Sequence, residues 1–88
     1  MIVTFTKSFE RSLRKCGEKD RAKEAVRQLL AALQTNKKPE GLGLKKLRDD
    51  IWEIRGGLRT RVLFAMLPGE IRLLLTGKHE EIHRFLRK

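Results

Sequence analysis

The chain has little of what usually staples, ligates or anchors a small protein. Of its 88 residues one is cysteine and two are histidine, so Cys16 has no internal disulfide partner and the Cys/His spacing of a zinc site is missing. No metal or other cofactor is implied. No run approaches the roughly 20 apolar residues of a membrane-crossing helix. The start MIVTFTKSF has none of the basic, apolar and small-residue zones of a signal peptide. A cytoplasmic chain is the expectation. Acidic residues are scarce as well: 11 Asp and Glu face 21 Lys and Arg, a net charge of +10. Such a field favours nucleic acid, an anionic membrane surface or an acidic protein.

What is present is enough for one core. The chain is 40% hydrophobic, with seven glycines, close to an ordinary soluble protein, and it shows no repeat, linker or low-complexity stretch. Residues 1–88 are expected to form a single domain. Ile2 to Thr6 is β-branched and aromatic and predicts a strand, with Ser8 placed to cap a helix over about Phe9 to Lys15. Asp20 can cap a second helix, in which Ala22, Ala25, Val26, Leu29 and Leu33 recur at helical spacing. It should end near Asn36, before Pro39. The period then becomes two. Trp52 and Ile54 alternate with Glu53 and Arg55; Thr60, Val62, Phe64 and Met66 alternate with Arg59, Arg61, Leu63 and Ala65. Pro68-Gly69 is a turn signal, Ile71 to Thr76 a further strand, and Glu80 to Lys88 a short helix carrying Ile82, Phe85 and Leu86. The order is β-α-α-β-β-β-α. This predicts an α+β fold, a four-stranded, mostly antiparallel sheet with a layer of helices on one face.

Strand parity gathers the chemistry. With Trp52, Ile54, Val62 and Phe64 turned to the helices, Glu53, Arg55, Arg59 and Arg61 share the other face, provided that no bulge intervenes at Gly56-Gly57. Three guanidiniums on one surface repel unless an anion sits between them, and Arg forks match phosphate oxygens. The competing reading is a solvated face balanced by Asp49, Asp50 and Glu53. Lys45, Lys46 and Arg48, with Lys37 and Lys38, read as a flexible basic loop around Gly41 and Gly43, able to track a nucleic-acid backbone or simply to solubilise. His79 and His83 are four apart and share a helix face. HEEIH has no third ligand in view, so it does not read as a zinc-protease motif. An unperturbed imidazole titrates near pH 6.5, and either histidine could move a proton. Trp52 and Phe85 are expected in the core or at its rim.

The stretch LRDDIWEIRGGLRTRVLF, continuing into IRLLLTGKHEEIHRFLRK, resembles the RelE/ParE superfamily of toxins from type II toxin-antitoxin modules, most of all its RelE and HigB-like ribonuclease branch. The likeness rests on Ile51-Trp52-Glu53-Ile54-Arg55, on Arg61-Val62-Leu63-Phe64 and on Gly77-Lys78-His79-Glu80-Glu81-Ile82-His83, in an element order that is the family's. It implies a metal-independent endoribonuclease that cuts messenger RNA on the ribosome by attack of a ribose 2′-OH on the adjacent phosphate, and that a cognate antitoxin silences with an acidic segment over the basic face.

By that resemblance Arg61 stabilises the phosphate, Arg55 assists, and Glu53, where relatives carry lysine, is either a general base or a structural partner of Arg55. His79 stands where the motif has arginine and His83 where it has tyrosine, a residue this chain lacks; imidazole can replace either. Arg59, Lys45, Lys46, Arg48 and Lys78 are the expected RNA contacts. Replacing His83 or Arg61 by Ala should abolish cleavage and leave the fold intact. Two alternatives share the fold or the charge: a ParE-like inhibitor of DNA gyrase, and a basic RNA-binding module without catalysis.

Overall fold

The structure is a computed structural model, and it describes residues 1–87. Lys88, the end of the expected last helix and of the quoted motif, lies outside them. The elements run β1 (Ile2–Phe5), α1 (Lys7–Lys15), α2 (Lys19–Gln34), β2 (Lys45–Arg48), β3 (Ile51–Arg55), β4 (Arg61–Leu67), β5 (Glu70–Gly77) and α3 (His79–Leu86). One sheet holds all the strands in the order β1-β5-β4-β3-β2. Every pair is antiparallel except β1 with β5.

The α+β class and mostly antiparallel sheet agree with the sequence, but the sheet has five strands and not four. The extra one is β2, in the segment read as a flexible basic loop. Lys45 pairs with Glu53 and Lys46 with Trp52, and the chain reverses through Asp49, whose φ of 43° is left-handed. A short lysine-rich strand at a sheet edge blunts pairing with foreign strands, and Lys46 also sets its ammonium 5.9 Å from the centroid of the Trp52 ring.

Expected helix starts shift slightly. Thr6, not Ser8, caps α1, its hydroxyl accepting the Phe9 N–H at 3.2 Å. The start of α2 is at Lys19, so Asp20 lies in its first turn, where a carboxylate still complements the helix dipole. Asn36 does take the left-handed conformation beyond the helix end (φ 56°).

Parity holds on the α1–α2 side. Ile54, Val62, Phe64, Ile71 and Leu73 form one buried cluster with Phe9, Ala22, Val26 and Leu29, and Trp52 packs at its rim. Gly56 lets β3 close against α2, since a Cβ there would stand 3.2 Å from the Ala22 Cα and the Arg21 carbonyl oxygen. No bulge forms at Gly56-Gly57; the Gly56 N–H donates to Thr60, and the register shift of β4 lies instead opposite β5, at Leu63/Phe64.

The third helix corrects the expectation of one helical layer. Leu63 and Ile82 are buried, at 0% and 1% exposure, yet neither belongs to the α1–α2 cluster. By parity Leu63 points away from that cluster, α3 contacts β4 and β5, and the Arg48 guanidinium of β2 donates to the Leu86 carbonyl at 2.9 Å. α3 therefore crosses the opposite face of the sheet.

At the β1 edge a helix continues where a strand stops. β1 pairs with β5 only as far as Leu73. Beyond it α1 runs beside β5, and its serines take the place of strand partners: Ser8 donates to the Leu74 carbonyl at 2.6 Å and Ser12 accepts the Thr76 N–H at 3.0 Å. Backbone groups of β5 that would otherwise be orphaned are satisfied by hydroxyls.

Candidate functional site

Arg61 opens β4, and its cross-strand neighbours are Arg55 on β3 and Gly77 on β5. Gly77 precedes His79 by two residues, so one row across the sheet runs from Arg55 through Arg61 to the start of α3. Strand register explains the next feature. Glu53 faces Leu63 directly and Arg61 diagonally, a separation that long side chains span. The Arg61 Nη1 donates to Glu53 Oε1 at 2.7 Å, with Glu53 only 4% exposed. Glu53 is thus on the expected face, but covered and committed to Arg61, not to Arg55.

Burial of this pair decides what each group can do. A carboxylate taken out of water costs several kcal/mol unless compensated, and Arg61 supplies both the charge and the hydrogen bond. In return Glu53 fixes the guanidinium. About a quarter of the Arg61 side chain remains exposed, 23%, so a guanidinium with five donors is anchored at one end and open at the other. Replacing Arg61 by Ala would strand the Glu53 charge, so this variant should lower stability as well as change the site.

The other candidates are dispersed. Arg55 is exposed, and its side chain lies over Gly43, 3.4 Å from where a Cβ would stand, lining a groove with Asp20, Glu24 and Leu42 of the α2 side. Arg59 sits in the β3–β4 loop, not on a strand, in a cleft of about 390 Å³ with Cys16, Glu18 and Lys78. That loop is tied down by the Thr60 hydroxyl, which donates to Glu18 Oε1 at 2.5 Å. Lys45 and Lys46 are exposed on edge strand β2, and Arg48 is engaged with the end of α3. Lys78 precedes the first turn of α3, its N–H bonded to the Glu81 carboxylate at 3.0 Å. Among the described residues Arg61 is the one member of the candidate set, besides Glu53, in an ion pair.

His79 and His83 do come together. Their ring centroids are 4.1 Å apart and tilted by 55°, and both residues are exposed. At about 100° per residue they lie roughly 60° and 100° round α3 from the buried Ile82, and Glu81 and Phe85 take the other flank. That other flank faces α1 across Leu75, so the histidines lie on the flank turned away from α1. The arrangement puts two exposed imidazoles on α3 and an anchored guanidinium on β4, the strand that α3 contacts. Such a set can offer fixed positive charge to a phosphate and proton transfer next to it. Among the described residues no group of three or more His, Cys, Asp or Glu could hold a metal ion, and no helix is long and apolar enough to cross a membrane.

No family model and no curated protein sequence matches the chain. Solved structures do. A copper-bound mutant toxin from Helicobacter pylori superposes with a TM-score of 0.76 at 17% identity, over 93% of this chain and 98% of that one. The RelB-RelE antitoxin-toxin complex from Methanococcus jannaschii gives 0.71 at 15%, over 93% and 96%. YafQ from E. coli gives 0.70 at 10%, over 91% and 94%. The fold is that of the RelE-type toxins. Coverage above nine-tenths in both directions means that the RelE-like fold here carries no large insertion or deletion, and the expectation drawn from the motifs is met at the level of fold. Sequence reasoning did not identify the Glu53–Arg61 pair, although the signal was present: an acid and a base on one strand face, two residues apart across a ladder, where only register chooses the partner.

Proposed function

We propose that the protein is the toxin of a toxin-antitoxin module and acts as a metal-independent endoribonuclease on messenger RNA at the ribosome. What supports the reading is the buried Glu53 that anchors Arg61 on β4, together with the exposed His79–His83 pair on α3, the helix that contacts β4, in a fold shared with RelE-type toxins. Arg61 neutralises the charge that develops on the phosphorane when a ribose 2′-OH attacks. One histidine takes the 2′-OH proton and the other returns a proton to the departing 5′-oxygen, with more weight on His83. Glu53 is a positioning residue: its carboxylate, buried and already hydrogen-bonded, holds Arg61 and does not reach the substrate. Arg55, Arg59, Lys45, Lys46, Arg48 and Lys78 supply docking charge along the RNA. The partner that restrains the enzyme is an antitoxin, as in the complexes formed by RelE of M. jannaschii and YafQ of E. coli.

End-group analysis tests the chemistry. Messenger RNA incubated with ribosomes and the purified protein, in the presence of EDTA at a level that leaves ribosomal magnesium intact, should yield fragments ending in 2′,3′-cyclic phosphate and 5′-OH. Fragments with 5′-phosphate, or no cleavage together with loss of DNA gyrase supercoiling, would overturn the assignment.

A further inference from the structure

Both histidines of the chain lie on α3, and their side chains meet outside the helix. Four residues advance a helix by about 6 Å and turn it by roughly 40°, yet the two ring centroids are only 4.1 Å apart. The rings therefore converge. Two nitrogens bound to one ion at about 2.0–2.1 Å stand roughly 3 Å from one another, a span that rings in this contact reach by side-chain rotation alone. Both residues are exposed, and neither is in an ion pair among the described residues. The helix beneath them is fixed. At its start the Glu81 carboxylate accepts the Lys78 N–H at 3.0 Å, at its end the Arg48 guanidinium donates to the Leu86 carbonyl at 2.9 Å, and between them Ile82 is 1% exposed. A chelate on a fixed backbone loses little freedom when an ion arrives.

Ligand type selects the ion. A chain of net charge +10 repels cations, and a hard ion such as Mg²⁺, which needs carboxylate or phosphate oxygens, gains nothing from two imidazoles. Neutral imidazole binds through a nitrogen lone pair, which suits first-row transition ions, Cu²⁺ more tightly than Zn²⁺. Two protein ligands leave the remaining coordination positions to water, unlike a closed structural site of four. The one thiol stands apart: Cys16 lines a cleft with Arg59, Lys78 and Glu81, and Glu81 is on the flank of α3 opposite the histidines.

We infer that His79 and His83 form a two-nitrogen chelate for a divalent transition ion, tightest for Cu²⁺ and open also to Zn²⁺, and that the bound ion switches the site off. The switch rests on the proton transfer proposed above; the chelate does not. A ring nitrogen whose lone pair is held by a metal cannot accept a proton, so the loaded pair cannot serve as the base for the 2′-OH. An enzyme that needs no metal is thereby one that a metal restrains.

Calorimetric titration of the untagged protein with Cu²⁺ and with Zn²⁺ should show one ion per chain, Cu²⁺ the tighter, and no binding of Mg²⁺. His79→Ala and His83→Ala, at exposed positions, should each weaken Zn²⁺ binding at least tenfold with unchanged circular dichroism, and Cys16→Ser should bind as wild type does. In proton NMR the imidazole signals of both histidines should shift as Zn²⁺ is added. The inference is overturned if either histidine variant keeps wild-type affinity, if Cys16→Ser loses it, if two chains share each ion, or if Mg²⁺ competes at equal concentration. Ribosome-dependent cleavage at buffered free Zn²⁺ ten times the dissociation constant should fall roughly tenfold, since about one site in eleven stays free. It should do so in wild type and Cys16→Ser alike, and recover when the Zn²⁺ is chelated. Cleavage at the full rate with the histidines loaded would overturn the switch. Absence of cleavage from metal-free wild type would sink the toxin reading, while the calorimetry would still decide the chelate.

Discussion

On one face of the sheet Ile54, Val62, Phe64, Ile71 and Leu73 meet two helices through apolar atoms, whereas on the other a buried Glu53 and a half-buried Arg61 share the face of Leu63 with a single eight-residue helix. The same two strands, β3 and β4, build both faces from alternate residues. The first face is closed by α1 and α2 and has nothing left to do except hold. The second is closed only in part: α3, with Ile82 buried, contacts β4 and β5, and part of Arg61 and both histidines remain exposed. In β3 and β4 the apolar core thus takes the even positions and the charged pair the odd ones, and substitutions on the two faces have different consequences.

The largest effect should come from the closed face. Phe64→Ala removes a fully buried ring and should cost about 3–5 kcal/mol in urea unfolding, a large part of the stability of a domain this size. Arg61→Ala should follow, at about 3 kcal/mol, because it leaves the Glu53 carboxylate buried without its cation. The two causes separate in the double variant Glu53→Leu/Arg61→Met. It should regain wild-type stability or exceed it, since an apolar pair of similar volume avoids the desolvation cost, and yet remain inactive on RNA. A double variant still as unstable as Arg61→Ala would show that the pair is not what links the strands on that face.

His79→Ala/His83→Ala comes next: both side chains are exposed, so unfolding should shift by less than about 0.5 kcal/mol, with activity lost. The smallest effect lies at the β1 edge. Arg72 first, and then the Thr4 hydroxyl, hold the Glu70 carboxyl below the usual carboxylate range. A lowered folded-state value stabilises above the unfolded value, and that contribution is lost as pH falls through the lowered one. The acid limb of the stability-pH curve should accordingly be shallower in Glu70→Gln.

What could be read from the residues alone follows the same division. Period-two alternation in β3 and β4 and the helical period of α2 are signals of burial on one side, and they placed the closed face correctly. β2 escaped because Lys45-Lys46-Leu47-Arg48 has one apolar residue and no alternation to detect; an edge strand gains its place from ladder hydrogen bonds, which leave no trace in hydropathy. Parity gave Glu53 and Arg61 a common face, but only register pairs Glu53 with Arg61 and leaves Arg55 over Gly43. The spacing of Ile82, Phe85 and Leu86 predicts an amphipathic helix without saying which face of the sheet it covers. That choice decides where His79 and His83 point.

The most direct test of the central claim is single-turnover cleavage of ribosome-bound messenger RNA by the His79→Ala/His83→Ala protein, measured beside its unfolding midpoint. With proton transfer contributing about 10²–10⁴-fold, the account predicts an unchanged midpoint and a cleavage rate at least 100-fold below wild type. Cleavage at the wild-type rate by a fully folded double variant would contradict it.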